Sequence, residues 1–399
     1  MKLSRYAWLG VAAMGLLTGC DKFWDKPAGS GGNGGGGGNN AASGVFYVLN
    51  TAKNQVAAMQ FAANSSGPTA LTGSPYTLGA VPTTMAIAPS GNFLYVSTVA
   101  GIYAYGVGAN GALTVANGGA VISQDAPFAM QVDPTGTWLV EVISGLGTVN
   151  AIPISASSGV FDISRTEQSA ALPAATVTQL AMSPINSANP YVFVAMGSGG
   201  TAVVPFNSNP GAGSSPFGTS TTIKVKSTAG AANAVAVDPS NRLLYVGETV
   251  ALPSATQTGG LRVFTIDSKS TITEISGSPF ATAGTGPSAI LAGDTLVYVA
   301  NKAVSGSNTG NITGFTLSAT GTAPVTYTFT TVSTIVAGSG TASLAQDSTG
   351  TYVLAVNAGG SPDLSTFTFD TTTNGKLDAG TTSSTGTDPV QAVQVIAHP

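Results

Sequence analysis

The sequence predicts an all-β fold, a seven-bladed β-propeller, for residues 44–399. Three observations predict it: a strand–turn–strand motif recurs seven times, its copies are evenly spaced, and one copy is split between the two chain ends. Alternating apolar and polar residues joined by Gly, Asn or Asp indicate strands and hairpins. We therefore expect seven blades of four antiparallel strands, with the ring closed by pairing the C-terminal strand with the N-terminal blade.

The repeated motif is a short apolar strand, a tight turn and a second strand that ends near an aromatic residue and valine. Its clearest copies span residues 85–96 and 235–246. The others occupy 130–140, 181–194, 290–299 and 344–355, and the seventh is divided between 393–399 and 45–48. The turn proline, or its equivalent, recurs every 45 to 55 residues. Such regular spacing predicts that one structural unit is repeated along the whole of residues 44–399.

The split seventh copy distinguishes a closed ring from two other repeat architectures. A linear solenoid would have unlike, capped ends, whereas here residues 393–399 are completed by residues 45–48. A β-helix has shorter repeats and no split unit. A closed ring has few exposed edge strands. It also explains the divided copy, because the two chain ends meet in the same blade.

The second strand of each copy carries adjacent apolar residues, for example Leu244 and Tyr245. Neighbouring side chains of a strand point to opposite faces, so these strands should be buried on both faces. A blade packed between two others requires this pattern.

Residues 1–19 have the features of a secretory signal peptide, since Lys2 and Arg5 precede an apolar stretch too short to span a bilayer. The letters LTGC, ending at Cys20, resemble the bacterial lipobox. The resemblance implies cleavage before Cys20 and lipidation of its thiol. The alternative is a plain signal peptide that contains a cysteine.

Residues 20–43 contain the glycine run 34–38 and have no apolar periodicity, which predicts a flexible tether. We expect an exported protein, lipid-anchored in the bacterial cell envelope and facing the periplasm or the surface. Its expected partners are the membrane, through Cys20, and an unidentified small molecule or protein. The chain is expected to be a monomer.

Composition excludes several classes of function. Only 8% of residues are charged and the net charge is −4, so no basic surface for nucleic acid is expected. One Cys and one His exclude zinc sites built from Cys or several His. No Asp-x-Asp-x-Asp calcium motif occurs. We therefore expect no metal and no cofactor.

Two segments of the sequence resemble the seven-bladed lactonase-type propellers. They are ISGSPFATAGTGPSAI at 275–290, followed by LVYVAN at 296–301, and LTGSPY at 71–76, followed by FLYV at 93–96. The family includes 6-phosphogluconolactonase-like proteins, carboxymuconate-lactonizing enzymes and YVTN-repeat envelope proteins. The shared residues are those that pack blades and form turns, so the resemblance implies the fold and leaves function open.

Three functions remain open. The first is a binding or scaffold module, favoured by the few acid–base groups. The second is hydrolysis of a lactone, as in 6-phosphogluconolactonases, or of a related ester at the channel mouth. The third is an adhesive or structural surface role. The enzymatic relatives are richer in His, Arg and Glu at that mouth, whereas His398 is the only His here and falls in a turn at the opposite end.

The candidate site is the end of the ring where the second strands finish, because propellers usually bind ligands there. The candidate ligand-binding residues at this level are Asn50, Thr98, Glu248, Asn301 and Asn357, with Lys302 beside Asn301. Glu248 and Lys302 are weak catalytic candidates, as a base and its electrostatic partner. Alternatively, these side chains satisfy backbone groups at the strand ends.

Glu141 is a further weak catalytic candidate, because it departs from the repeat. It fills the position that Val96, Val246 and Val299 hold in other copies. A carboxyl group at an apolar position must be paired, protonated or exposed. A functional and a structural explanation both remain open.

Overall fold

The computed structural model describes residues 44–399, apart from 63–66, 186, 188–189, 255–256, 268–270, 322–324, 361–362 and 386–391. The predicted signal peptide, Cys20 and the tether lie outside these residues. The described part folds into seven antiparallel sheets arranged in a ring. This confirms the predicted seven-bladed β-propeller.

The strands follow one another blade by blade. Blade 1 begins with β1 (Val45–Asn50), β2 (Gln55–Gln60), β3 (Thr69–Ala70) and β4 (Tyr76–Thr77). Blade 2 contains β5 (Pro82–Ile87), β6 (Phe93–Thr98), β7 (Gly101–Val107) and β8 (Leu113–Val115). Blade 3 contains β9 (Ala129–Val132), β10 (Trp138–Ile143), β11 (Thr148–Pro153) and β12 (Gln168–Ala171). Blade 4 contains β13 (Gln179–Met182), β14 (Tyr191–Ala195), β15 (Thr201–Pro205) and β16 (Thr221–Ile223).

The second half of the ring is built in the same way. Blade 5 contains β17 (Ala232–Val237), β18 (Leu243–Glu248), β19 (Gly260–Ile266), β20 (Ile272–Glu274) and β21 (Phe280–Ala281). Blade 6 contains β22 (Pro287–Ala292), β23 (Leu296–Asn301), β24 (Thr309–Thr320) and β25 (Thr326–Ser339). Blade 7 contains β26 (Thr341–Gln346), β27 (Tyr352–Asn357), β28 (Leu364–Phe369) and β29 (Leu377–Ser383), after which β30 (Ala392–Ala397) returns to blade 1.

Helical structure is almost absent from the described ranges. They contain one short 3-10 segment, Asn117–Gly119. None of their helices has the length and apolar character to cross a membrane.

The ring closes through β1, which pairs with β2 on one side and with β30 on the other. The antiparallel β1–β30 register runs from Phe46 opposite Ala397 to Asn50 opposite Ala392. The first strands contact one another in a closed circle, in the order β5, β9, β13, β17, β22, β26 and β30. The split repeat is therefore one blade, as predicted.

Apolar side chains form the core between neighbouring blades, and the second strands contribute to both of their faces. In β1, Tyr47 packs with the residues of blade 2 and Phe46 with those of blade 7, and both side chains are fully buried. Burying side chains of this size contributes about 2–3 kcal/mol each. The two-faced burial predicted from the sequence is confirmed.

The turn between the first and second strands is held by an aspartate in three blades, Asp133, Asp238 and Asp347. Asp347 Oδ1 accepts hydrogen bonds from the backbone N–H groups of Thr351, at 2.9 Å, and Tyr352, at 2.6 Å. The equivalent distances in the other two turns lie between 2.6 and 2.8 Å. These buried carboxylates therefore stabilise the turns by accepting hydrogen bonds from the backbone of the turn.

Candidate functional site

The asparagines predicted at the channel mouth are fully buried at the ends of their strands. Asn301 Nδ2 donates to the carbonyl oxygen of Thr282 at 2.7 Å, and Asn301 Oδ1 accepts from the hydroxyl of Thr282 at 2.9 Å. Asn357 Oδ1 accepts from the hydroxyl of Thr341 at 3.0 Å. Both amides therefore fasten the end of a second strand to the segment beside it.

Thr98 and Asn50 are also buried and bond to the turns that follow them. The Thr98 hydroxyl donates to the carbonyl of Gly101 at 3.0 Å and accepts from the N–H of Ala100 at 3.1 Å. Asn50 Oδ1 accepts from the N–H of Lys53 at 3.1 Å. These contacts favour the alternative in which the polar ring of residues satisfies backbone groups at the strand ends.

Glu248 lies at the end of β18 and belongs to a buried ion network. Its Oε1 accepts from Arg262 Nη1 at 2.7 Å, and its Oε2 accepts from the backbone N–H of Lys226 at 2.8 Å. Arg262 also holds Glu274 through two bonds, of 3.1 Å from Nε and 2.9 Å from Nη2. Its remaining Nη1 contact is the carbonyl of Lys224, at 2.7 Å. Glu248 is thus neutralised from inside its own blade.

Lys302, the proposed electrostatic partner of Glu248, is exposed to solvent. The cation that pairs with Glu248 is Arg262, and the side chains of this pair are 7% and 1% exposed for Arg262 and Glu248. The structure therefore places Glu248 in a buried pair and leaves Lys302 at the surface beside Asn301.

The network also shifts the pKa values of its members. Burial by itself lowers the pKa of Arg262, but its bonds to Glu274 and Glu248 outweigh burial and raise that pKa. Burial raises the pKa of Glu274, but the bonds from Arg262 and Ser278 outweigh it and hold the pKa below its usual value. The ionised forms are therefore favoured on both sides of the Arg262–Glu274 pair.

Glu141 lies in β10 and is fully buried, in a cluster of three carboxyl groups with Asp125 and Glu167. One oxygen of each carboxyl group lies within 4.8 Å of one oxygen of each of the others. Asn150 Nδ2 donates to Glu141 Oε1 at 3.2 Å, and Asp125 Oδ2 accepts from the hydroxyl of Ser123 at 2.8 Å. Burial decreases along the cluster, because Asp125 is half-buried and Glu167 is exposed.

Burial, and after it the charge of the neighbouring Asp125, raise the pKa of Glu141 to about 8, against the lowering effect of the Asn150 bond. The other oxygen of this carboxyl group, Oε2, has no hydrogen-bond partner among the described residues. This oxygen is thus buried without an N–H or hydroxyl donor, which is costly for a polar group.

Analysis of the sequence identified Glu141 but did not find Asp125 and Glu167 beside it. The three residues lie on a linking loop, on β10 and just before β12, and no spacing along the chain connects them. Arg262 could have been found, because it is a lone cation within the apolar strand β19. A lone buried cation indicates a buried carboxylate partner.

Comparison with known proteins gives a likeness of fold. A protein of Bacteroides fragilis assigned as a 6-phosphogluconolactonase is 12% identical, with a TM-score of 0.67 over 90% of this chain and 99% of that one. A Bacteroides uniformis protein with the same assignment is 14% identical, with a TM-score of 0.66 over 89% and 99%. The periplasmic gluconolactonase of Pseudomonas aeruginosa is 15% identical, with a TM-score of 0.64 over 89% and 99%.

No family model and no curated protein sequence matches the chain. The fold defines the molecule as a seven-bladed β-propeller. More particularly, it has the architecture of the 6-phosphogluconolactonase-like propellers, as the resemblance in the sequence implied. At this level of identity the likeness is one of fold. Function must be inferred from the residues of the candidate site.

Proposed function

We propose that the chain is an exported, lipid-anchored protein of the bacterial cell envelope, whose propeller binds a small molecule or a protein without catalysing a reaction. The observation that carries the proposal is the state of Glu248. A general base needs a carboxylate that is free to take a proton, whereas the oxygens of Glu248 accept from the Arg262 guanidinium and from the backbone N–H of Lys226. The polar residues around it are likewise engaged in strand-end hydrogen bonds.

Hydrolysis of a lactone is the second candidate, and the likeness to a periplasmic gluconolactonase favours it. In that case an exposed group such as Lys302 would stabilise the charge that develops on the carbonyl oxygen. A binding module with the same fold needs no such group, so Lys302 separates the two candidates.

Incubation with glucono-δ-lactone and a panel of simple lactones tests the choice. We expect the purified protein to leave the spontaneous hydrolysis rate unchanged at every pH, and Lys302→Ala to behave identically. The reaction is followed by acid release. Turnover that the wild-type protein supports and Lys302→Ala loses would contradict the binding proposal and establish the hydrolase.

The envelope location rests on residues 1–20 and is tested separately. We expect full-length protein to sediment with membranes and Cys20→Ser to be recovered in soluble fractions, because the acyl chains bonded to the thiol supply the anchor. Fractionation with immunoblotting measures this, and Ser43→Ala, in the tether, is the matched control. Equal sedimentation of all three proteins would contradict lipid anchoring.

A further inference from the structure

The carboxyl cluster of Asp125, Glu141 and Glu167 lies between blades 2 and 3. Asp125 belongs to the segment that leads from blade 2 to β9, which begins at Ala129. Met130, which is opposite Glu141 in the β9–β10 register, belongs to the core shared by these two blades. The cluster therefore lies at a blade interface.

The distances within the cluster fit a single coordination sphere. Calcium binds oxygen ligands at about 2.3–2.6 Å, so two ligands on opposite sides of one ion are about 4.6–5.2 Å apart. The three carboxyl oxygens all lie within 4.8 Å of one another. The three carboxyl groups are therefore close enough together to be ligands of one ion.

The electrostatics of the cluster also favour a cation. The ion pairs formed by the described residues do not include Asp125, Glu141 or Glu167. Three carboxyl groups at this separation repel one another when ionised. Within the same part of the chain, Glu141 Oε2 is a buried oxygen to which no N–H or hydroxyl group donates. A bound cation would supply both the missing charge and the missing partner.

Neighbouring polar groups hold two of the three carboxyl side chains in place. Asn150 holds Glu141 through Oε1, and Ser123 holds Asp125 through Oδ2, which fixes the orientation of both carboxyl groups. Exposed Glu167 forms the side of the cluster nearest to solvent. Ligands that are all oxygen select hard cations over zinc or copper.

We propose that Asp125, Glu141 and Glu167 form a binding site for a hard divalent cation of the size of calcium, which ties blade 2 to blade 3. The proposal differs from the sequence-based expectation of no metal, because the ligands come from three separate segments and form no local motif. Bound calcium would stabilise the folded ring by mass action, since the unfolded chain has no such site.

Titration calorimetry with CaCl₂ on chelator-treated, dialysed full chain tests the proposal. We expect one saturable site and a rise in melting temperature with calcium. Glu167→Gln should weaken binding about tenfold or more. This residue is exposed, so the variant is expected to fold. Asp378→Asn, which removes a carboxylate that is 48% exposed in blade 7, should bind like the wild type.

Two outcomes would overturn the proposal. One is a folded wild-type protein that shows neither saturable heat nor a change in melting temperature at millimolar calcium. This result would mean that Glu141 is held as a neutral acid against Asp125. The other is calcium binding of equal strength in the wild type, Glu167→Gln and Glu141→Gln, which would place the ion elsewhere.

Discussion

Replacing Arg262 with methionine is expected to lower the free energy of unfolding by about 3–5 kcal/mol. The substitution keeps the length and the apolar contacts of the side chain but leaves Glu248 as a buried charge without its cation. It also removes both bonds to Glu274. Denaturant titration followed by tryptophan fluorescence measures the loss as a lower unfolding midpoint.

Two further variants show whether the buried pair is the cause. Lys226→Met removes a cation from the same Glu274, but its side chain is 41% exposed, so we expect a change of about 1 kcal/mol or less. Combining Arg262→Met with Glu248→Gln should recover part of the loss, because the remaining buried group is then neutral. Equal losses for Arg262→Met and Lys226→Met would contradict this account of the network.

The stability of the protein is expected to fall as pH rises from about 5 to about 8 because of Glu141. Its pKa in the folded ring is about 8, well above the 4.5 of an unperturbed glutamate. Between these values the folded state holds a proton that the unfolded chain releases. The stabilisation is therefore complete below the unfolded pKa and is lost as pH rises through the folded pKa, at about 1.4 kcal/mol per pH unit.

The difference between the wild type and Glu141→Gln isolates this effect from other titrating groups. With EDTA present, the wild-type unfolding midpoint should be lower at pH 8 than at pH 5, whereas the glutamine variant should change less. Glu141→Val is expected to leave the melting temperature at pH 8 unchanged or raise it, because it buries no charge. Parallel pH profiles for the wild type and the glutamine variant would refute the raised pKa.

The fold could be predicted from the sequence because each blade encodes its strands locally. Residues such as Leu244 and Tyr245 carry the two-faced pattern within a few positions, and seven copies repeat it. Glu141 was recognisable for the same reason, since it breaks an otherwise apolar register. Its neighbours Asp125 and Glu167 were not, because their approach depends on how two blades and a linking segment pack.

The two sequence segments that resemble the lactonase-type propellers also form hydrogen bonds that stabilise the blades. Ser278 Oγ accepts from the N–H of Val263 at 3.1 Å, and Ser74 Oγ accepts from the N–H of Ala58 at 2.9 Å. In each case a serine hydroxyl supplies the acceptor that a neighbouring strand would otherwise provide. The residues behind the resemblance therefore stabilise the outer edges of the blades. For this reason the resemblance predicts the fold and leaves the function open.

The position of β1 determines how the propeller responds to mechanical load. A pull on the N-terminal segment enters the ring at Val45, the first residue of a strand bonded to β2 on one side and β30 on the other. The force is then shared by two antiparallel ladders, which must break before the strand can leave. A chain that ended before Ala392 would leave only one ladder to resist the same pull, and β1 would peel away as an edge strand.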